Sequence, residues 1–459
     1  MTTELAPTQV FLDGKVELRP GDCRDVIKAM PDNSIDSVVC DPPYALVSIV
    51  KRFGGPNAAP SNDGDVYSRA SAGFMGRTWD TGETAFAETF WAEVLRVLKP
   101  GGHVVAFSGT RTYHRMAVAI EDAGFEIRDQ LAWCYGSGFP KSHDVSKAID
   151  KHFGAVREKE RHTNVRNPKA TGGGKDGTEG ATRPWIEAAM ARGYHEKDGD
   201  EAATPQAAEW QGWGTALKPA WEPICLARKP LIGTVAANVL ERGTGALNID
   251  GCRVGTEGGT AKGRSADKST TDSVGWYLNA KAGTPIDAGR WPANIVHDGS
   301  DEVVACFPDA PGQQRAVGPQ HGAKASVNTY GDYGPRDDFQ PRLDQGSAAR
   351  FFYTAKADKL DRIGSKHPTV KPVDLMQWLV RLVTPPDGVV LDPFAGSGST
   401  GEAAWREGMR CILIEREEEY QTDVAARLSL ADKGPTTRKA RAIKQAANDN
   451  DLPLFGAAA

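Results

Sequence analysis

Two short stretches of this chain carry residue types that could act together chemically, although roughly 350 positions separate them. The first is Asp41-Pro42-Pro43-Tyr44. Two successive prolines fix the backbone, so the Asp41 carboxylate and the Pro42 carbonyl can project in one direction as rigid acceptors. Tyr44 adds an aromatic plate beside them. Two acceptors and a plate suit a planar amine, whose NH2 group donates two hydrogen bonds while its ring stacks. The second stretch, VVLDPFAGSGST over residues 389–400, contains Asp392, Pro393, Phe394, Gly396, Ser397, Gly398, Ser399 and Thr400. A Gly-x-Gly turn between a strand and a helix lets backbone approach a ligand closely, and the amides of the helix N-terminus attract a carboxylate. Glu415, seventeen residues after Gly398, would end the next strand, where an acid can accept hydrogen bonds from both hydroxyls of a ribose.

Positioning these residues requires strands that end at one edge, and the periodicity supplies candidates. Residues 16–19 and 35–40 read as strands, the second stopping at the prolines, which cannot continue a central strand. Asp22 is placed to cap a short helix running to Met30. Residues 85–98 have helical spacing and end at Lys99-Pro100-Gly101-Gly102, before a strand at 103–108, a helix at 113–123 and a strand at 125–135. Near the other end the same alternation returns: helix 373–384, strand 389–392, helix 399–407, strand 411–415 and helix 417–428. Strands alternating with helices predict a mostly parallel α/β sheet covered on both faces.

Between these blocks the composition changes. Residues 136–214 look like an insertion with little periodicity, carrying a basic patch from Arg157 to His162 and a glycine run at 171–175. Residues 222–229 alternate like a strand. The stretch from Leu231 to about Gln345 is Gly-rich and irregular, with Trp276, Tyr277, Arg290, Trp291 and Tyr330. The tail at 433–444 has five basic residues and no acid, and should fray.

Bulk properties narrow the function classes. A chain of 459 residues suggests one large domain with insertions or two to three modules, and its 50 Gly and 29 Pro predict long loops. A net charge of −5 excludes coating of nucleic acid by bulk charge, so any phosphate contact must be local. The seven cysteines are scattered without C-x-x-C spacing, which indicates reduced thiols and neither a disulfide framework nor a zinc site. Cys40, the last residue of a buried strand, reads as core. No Pro-Cys pair occurs. His297 and His367 lack partners at ligand spacing, so no metal is expected. No run of about 18 apolar residues and no basic-then-apolar start occurs, which predicts a cytoplasmic chain without a membrane partner.

With these motifs in place, the chain resembles the DNA amino-methyltransferases, the N(6)-adenine and N(4)-cytosine DNA methylases, and is most like their adenine-specific members. The order of its parts is similar to their β group: DPPY first, a target-recognition region next, the FAGSGS loop last. That resemblance implies a Rossmann-like methyltransferase fold with circularly permuted motif order, a mostly parallel twisted sheet, an antiparallel last strand and large irregular insertions. It implies S-adenosylmethionine as cofactor and S-adenosylhomocysteine as product. Thr369, Val370, Lys371 and Pro372, with His367 and Pro368 before them, resemble the segment that holds the methionine end of the cofactor. The turn at Gly21-Asp22 resembles the position whose acid meets the cofactor adenine. The implied cofactor set is therefore Asp22, Cys23, Lys371, residues 392–394 and 396–400, Glu415 and Arg416; the implied catalytic set is Asp41, Pro42, Pro43 and Tyr44.

The resemblance covers about residues 15–135, 216–230 and 347–428. It implies a catalytic half at 12–135, an insertion at 136–215, a last core strand at 216–230 pairing antiparallel with 125–135, target recognition at 231–345, a cofactor-binding half at 346–430 and a tail at 431–459. The implied reaction is direct, in-line methyl transfer to the exocyclic amino group of a base flipped out of double-stranded DNA. DPPY favours adenine, since a serine in place of Asp41 is more typical of cytosine enzymes. Cytosine methylation and a catalytically silent DNA-binding homologue are the alternatives. Implied partners are duplex DNA, a second copy of the chain, and either a cognate restriction endonuclease or none; the setting is a bacterial or phage-encoded, nucleoid-associated protein. Tyr67, Phe74 and Trp79 could close over a flipped base or pack on their own domain. The patch at 157–162 and the tail could meet phosphates or stay solvated.

Overall fold

The computed structural model describes residues 6–44, 84–138, 142–162, 192–255, 290–310, 326–328, 331–333, 346–355, 359–362, 365 and 369–432. The chain divides into two compact units, one of Met1–Gly136 with Trp221–Asp432, the other of Ser137–Ala220 with Lys433–Ala459.

The first unit is built on strands β1 (Gln9–Phe11), β2 (Val16–Pro20), β3 (Ile35–Cys40), β4 (Leu98–Phe107) and β5 (Glu126–Cys134) from its N-terminal part. The second unit contributes β6 (Lys159–His162) and β7 (His195–Asp198), an antiparallel pair of its own. Back in the first unit lie β8 (Trp221–Arg228), β9 (Ile295–His297), the small β10 (Ser326–Asn328) and β11 (Gly331–Tyr333) ladder, β12 (Tyr353–Thr354), β13 (Val389–Asp392) and β14 (Arg410–Glu415). Ten of these form one sheet in the order β1-β2-β14-β13-β3-β4-β8-β5-β9-β12. Strands from the two ends of the chain interleave, with β13 and β14 lying between β2 and β3, which is the permuted order expected from the motifs. Pairing is parallel from β2 through β4, and β8 runs antiparallel to both β4 and β5.

All six residues of β3 are buried, as a strand covered on both faces requires. Val38 and Cys40 pack with Val26 and Ile27 of α1 (Cys23–Lys28), Trp91 and Val94 of α2 (Glu88–Val97), and Met116 and Ile120 of α3 (Tyr113–Asp122). Val39 points to the other face. Labels α4 (Val145–His152) and α5 (Pro205–Glu209) belong to the second unit, and α6 (Val235–Arg242) and α7 (Asp301–Val304) to the stretch expected to be irregular. The face of Val39 is covered by α8 (Val373–Val383), α9 (Ser399–Arg406) and α10 (Glu418–Asp432), with Leu375, Trp378, Leu379 and Leu382 wholly or almost wholly buried. Each such side chain contributes about 1.5–3 kcal/mol of transfer free energy.

Three readings from sequence change here. Lys99-Pro100-Gly101-Gly102 is not a turn between helix and strand; it lies inside β4, where the register moves from Ile35↔Leu98 to Ser37↔His103 and the extra residues bulge. Gly101 N–H donates to the Lys229 carbonyl at 3.0 Å and Lys229 N–H to the Gly102 carbonyl at 2.9 Å, so the bulge is held by the end of β8. The 231–345 stretch is not wholly irregular, since β9 joins the main sheet beside β5. In the second unit Arg157 is no surface charge: it is buried, with Nε 2.7 Å from Asp150, whose carboxylate also accepts from Thr204 Oγ1 and Ala203 N–H. Tyr67, Phe74, Trp79, Trp276, Tyr277, Tyr330, residues 171–175 and the basic tail lie outside the described residues. Among the described residues no helix is long and apolar enough to cross a membrane.

The close approach of β3 and β4 at the bulge depends on a missing side chain. A Cβ on Gly102 would stand 2.8 Å from the Asp36 carbonyl oxygen and 2.7 Å from Leu98 Cγ. Gly102→Ala should destabilise the protein by about 1–3 kcal/mol, read as a lower midpoint in urea unfolding at unchanged slope.

Candidate active site

Because β2, β14, β13, β3 and β4 run parallel, their carboxyl ends share one edge of the sheet. β3 and β13 are immediate neighbours, with Val390 opposite Ser37 and Leu391 opposite Val38. Asp41 and the glycine turn therefore emerge side by side. Asp36 fixes this alignment, accepting Val389 N–H at 2.8 Å and pairing with Lys99 at 2.6 Å. β8 runs the other way, so its first residues, not its last, reach the same edge and deliver Glu222 there.

At the end of β3, Asp41 Oδ2 lies 2.8 Å from Lys371 Nζ, which is also 3.0 Å from Glu222 Oε2. The Tyr44 hydroxyl donates to Glu222 at 2.9 Å and accepts from Lys371 at 3.0 Å. Thr112 Oγ1 donates to the Tyr44 carbonyl at 2.9 Å, so the ring is pinned at both ends. The Lys371 ammonium also lies over the Tyr44 and Phe107 rings, at 5.2 and 4.8 Å from their centroids. Burial would depress the Lys371 ammonium, but the Asp41 and Glu222 carboxylates outweigh it and hold it above the usual lysine range. Burial and the same two acids push the Tyr44 phenol well above its ordinary value, so it stays a donor. One acceptor is left over: Asp41 Oδ1 is buried and has no hydrogen-bond partner among the described residues. A buried acceptor left unmade is costly, and an incoming N–H would satisfy it.

The glycine turn is shaped by positive φ at Gly396 (53°) and Gly398 (79°), and Gly398 sits at the N-terminus of α9. Asp392 accepts Phe394 N–H at 3.0 Å and Thr400 Oγ1 at 2.5 Å. Glu415 accepts Gly396 N–H on one oxygen at 2.8 Å and Glu417 N–H on the other at 2.9 Å, and each oxygen keeps a second lone pair. Pro393 and Ser397 to Thr400 are buried around the turn, with the Ser397 and Ser399 hydroxyls 3.4 Å apart. The Phe394 ring packs on Phe90 at 5.4 Å between centroids. Across the β2–β14 pair, Gly21 N–H donates to the Glu415 carbonyl, which brings the Gly21-Asp22 turn beside Glu415. Asp22 caps α1 and is held below its usual range chiefly by hydrogen bonding to Arg24. Cys23 turns its thiol into the core, where burial pushes it up to about 12; Arg416 is half-exposed and pairs with Glu417 at 2.8 Å.

Every described residue of the expected set thus lies along this one edge, but Lys371 sits on Asp41 rather than on the glycine turn. His367 and Pro368 lie outside the described residues. Cys40 is core, its thiol raised by burial. His297 is structural, its ring nitrogens bonded to the Ala349 carbonyl and Gly299 N–H. Two residues were missed. Glu222 could have been suspected as an acid next to the apolar run 223–227 of a strand. Arg427, wholly buried on α10, donates to the Ser397 carbonyl at 2.6 Å, to Glu402 at 3.0 Å and to the Asp361 carbonyl, fastening the turn from beneath; nothing in its helical context signals this.

Burial pushes both Asp392 and Glu415 up to about 7, against the hydrogen bonds they accept. The folded state therefore retains protons that the unfolded chain has lost, and the stability these acids contribute falls as pH rises from about 4 to about 7, then levels. Asp392→Asn should reduce the decline in unfolding free energy across that window by at most about 1.4 kcal/mol per pH unit, measured by denaturation at stepped pH.

A sequence profile of the family described as DNA methylase matches residues 35–426. The chain is similar to the Escherichia coli protein named as a methylase, YubD, with 44% identity over 85 residues, 18% of this chain and 34% of that protein. It is also similar to the Type II methyltransferase M2.DpnII of Streptococcus pneumoniae, with 37% identity over 84 residues, 18% of this chain and 31% of that protein. The matched stretch spans about a third of either relative. Among solved structures, the cytosine-N4-specific PvuII DNA methyltransferase aligns over 99% of this chain and 100% of its own at 15% identity, with a TM-score of 0.40. The profile takes in both turns and the strand carrying Glu222, and on that match the chain belongs to the N6/N4 family of DNA methylases.

Proposed function

We propose that the protein transfers a methyl group from S-adenosylmethionine to the exocyclic amino group of adenine in double-stranded DNA. The observation that carries this reading is the buried Asp41 Oδ1, without a partner among the described residues, which lies beside a glycine turn on the neighbouring parallel strand. An acceptor of that kind calls for an N–H donor, and Pro42 and Tyr44 supply the second acceptor and the plate. The residues of the turn fit the cofactor: Gly396 to Thr400 offer backbone and the α9 N-terminus to its carboxylate, and the free lone pairs of Glu415 suit its ribose hydroxyls. Asp22 and Arg416, from the two sides of the β2–β14 edge, would meet its adenine, with Cys23 offering backbone alone because its thiol faces the core. When bound, the cofactor supplies an electrophilic methyl group on sulfonium sulfur.

The chain's own residues do the rest. A base within a duplex cannot reach this edge, so the target must leave the stack. Asp41 and the Pro42 carbonyl then accept from its amino group, which draws the nitrogen lone pair out of conjugation and aims it at the methyl; once methylated, the nitrogen gives up one of its two protons to solvent. Tyr44, pinned by Thr112 and Glu222, holds the ring. Orientation accounts for much of the acceleration. Adenine is favoured because Asp leads the Pro-Pro-Tyr tetrad. Arg290 and Trp291, in the region assigned to target recognition, are candidates for DNA contact. The reading also includes a homodimer and either a cognate endonuclease or a solitary role.

Incubating unmethylated duplex DNA with labelled cofactor should yield N6-methyladenine on nucleoside analysis; N4-methylcytosine instead would move the specificity to cytosine. Asp41→Ala should bind cofactor within about twofold of wild type while transfer falls at least about a thousandfold, and retained transfer would remove Asp41 from the mechanism.

A further inference from the structure

Glu222 carries no expectation from sequence, yet it completes the charge arrangement around Asp41. One ammonium, Lys371, is shared between two carboxylates, at 2.8 Å from Asp41 Oδ2 and 3.0 Å from Glu222 Oε2. The Lys371 side chain is 6% exposed, and the two acids are 17% and 18% exposed. An ammonium held on Oδ2 by Asp41 alone would draw the carboxylate's charge toward itself and weaken the free Oδ1 as an acceptor for the target amine, because the two oxygens share one charge. Drawing it away would strand a buried cation, which is the unfavourable half of breaking a buried ion pair. A second carboxylate beyond it removes that difficulty. The ammonium can turn to Glu222 while keeping a charge partner and the Tyr44 hydroxyl, which lies 3.0 Å away and is itself bonded to Glu222.

Resting on the methyltransferase reading above, we propose that Glu222 is a positioning residue: the alternative counter-ion that takes Lys371 from Asp41 Oδ2 when the target amine donates to Oδ1, leaving the carboxylate's charge to that bond. The antiparallel direction of β8 is what makes this possible. Ile224 lies opposite Phe107 at the end of β4, and Glu222, two residues earlier, overhangs the edge where Asp41 emerges. Pro223 follows at once and its carbonyl accepts Ser108 N–H at 3.0 Å, fixing the backbone that carries Glu222.

The test uses the full-length protein, labelled S-adenosylmethionine and unmethylated duplex DNA. Glu222→Gln keeps the shape and removes the charge; kcat should fall at least about tenfold, with cofactor affinity and KM within about twofold. Glu222→Asp, which keeps the charge, should retain at least about threefold more kcat than Glu222→Gln. Adding Lys371→Met to Glu222→Gln should restore about threefold or more, because no ammonium then draws charge from Asp41; a merely structural Glu222 would not be rescued in this way. If Glu222→Gln lowers the melting temperature markedly, the same comparison is made with Glu222→Asp alone and combined with Lys371→Met. The proposal is overturned by a Glu222→Gln enzyme with wild-type kcat, or by a double variant with no recovery. A double variant that loses the cofactor also overturns it, since Lys371 would then serve the cofactor rather than Asp41. Wild-type protein that methylates no DNA would instead sink the underlying reading, which separates the two failures.

Discussion

The parallel pairing of β3 with β13 is the constraint on which the rest of the molecule depends. It joins strands from opposite ends of the chain and leaves their carboxyl ends at one edge, so Asp41 and the Gly396–Gly398 turn are neighbours in space. The alignment is held from below by Asp36, whose carboxylate takes the first amide of β13. Packing enforces it from both faces, because the alternating residues of β3 are buried on one side against α1 to α3 and on the other against α8 and α9. A slip of one residue would exchange those faces, so the register of the site and the register of the core are the same quantity.

Charge is distributed along this edge in a consistent way. Asp41, Glu222, Asp392 and Glu415 all sit at or near strand ends, and Lys371 is the cation that bridges the first two. Asp392 and Glu415 lie deeper, and burial dominates their ionisation although backbone amides and a hydroxyl donate to them. An edge richer in carboxylates than in cations suits a positively charged sulfonium cofactor better than a phosphate.

Rigidity is supplied where the proposed chemistry needs it. The glycine turn takes positive φ at Gly396 and Gly398, and Arg427 binds its Ser397 carbonyl from a fully buried position while pairing with Glu402. Tyr44 is tied at both its carbonyl and its hydroxyl. The second unit has its own polar centre, in which Asp150 collects Arg157, Thr204 and the Ala203 amide.

The sequence by itself determined the strands and helices around each motif, because alternating burial and capping leave local marks: Asp22 before α1, the prolines after β3, the glycines before α9. It also determined the kinds of chemistry available, since DPPY and the glycine turn are defined by adjacent residues. Tertiary structure alone decided which side chains share the edge. Glu222 arrives there because β8 is antiparallel, Lys371 turns to Asp41 because two acids outweigh its desolvation, and Arg427 reaches the turn from a helix about thirty residues away. The same cause left β9 and the bulge in β4 unread: a three-residue strand and a Lys-Pro-Gly-Gly segment take their conformation from partners distant in the chain, and long-range pairing leaves no local periodicity to detect.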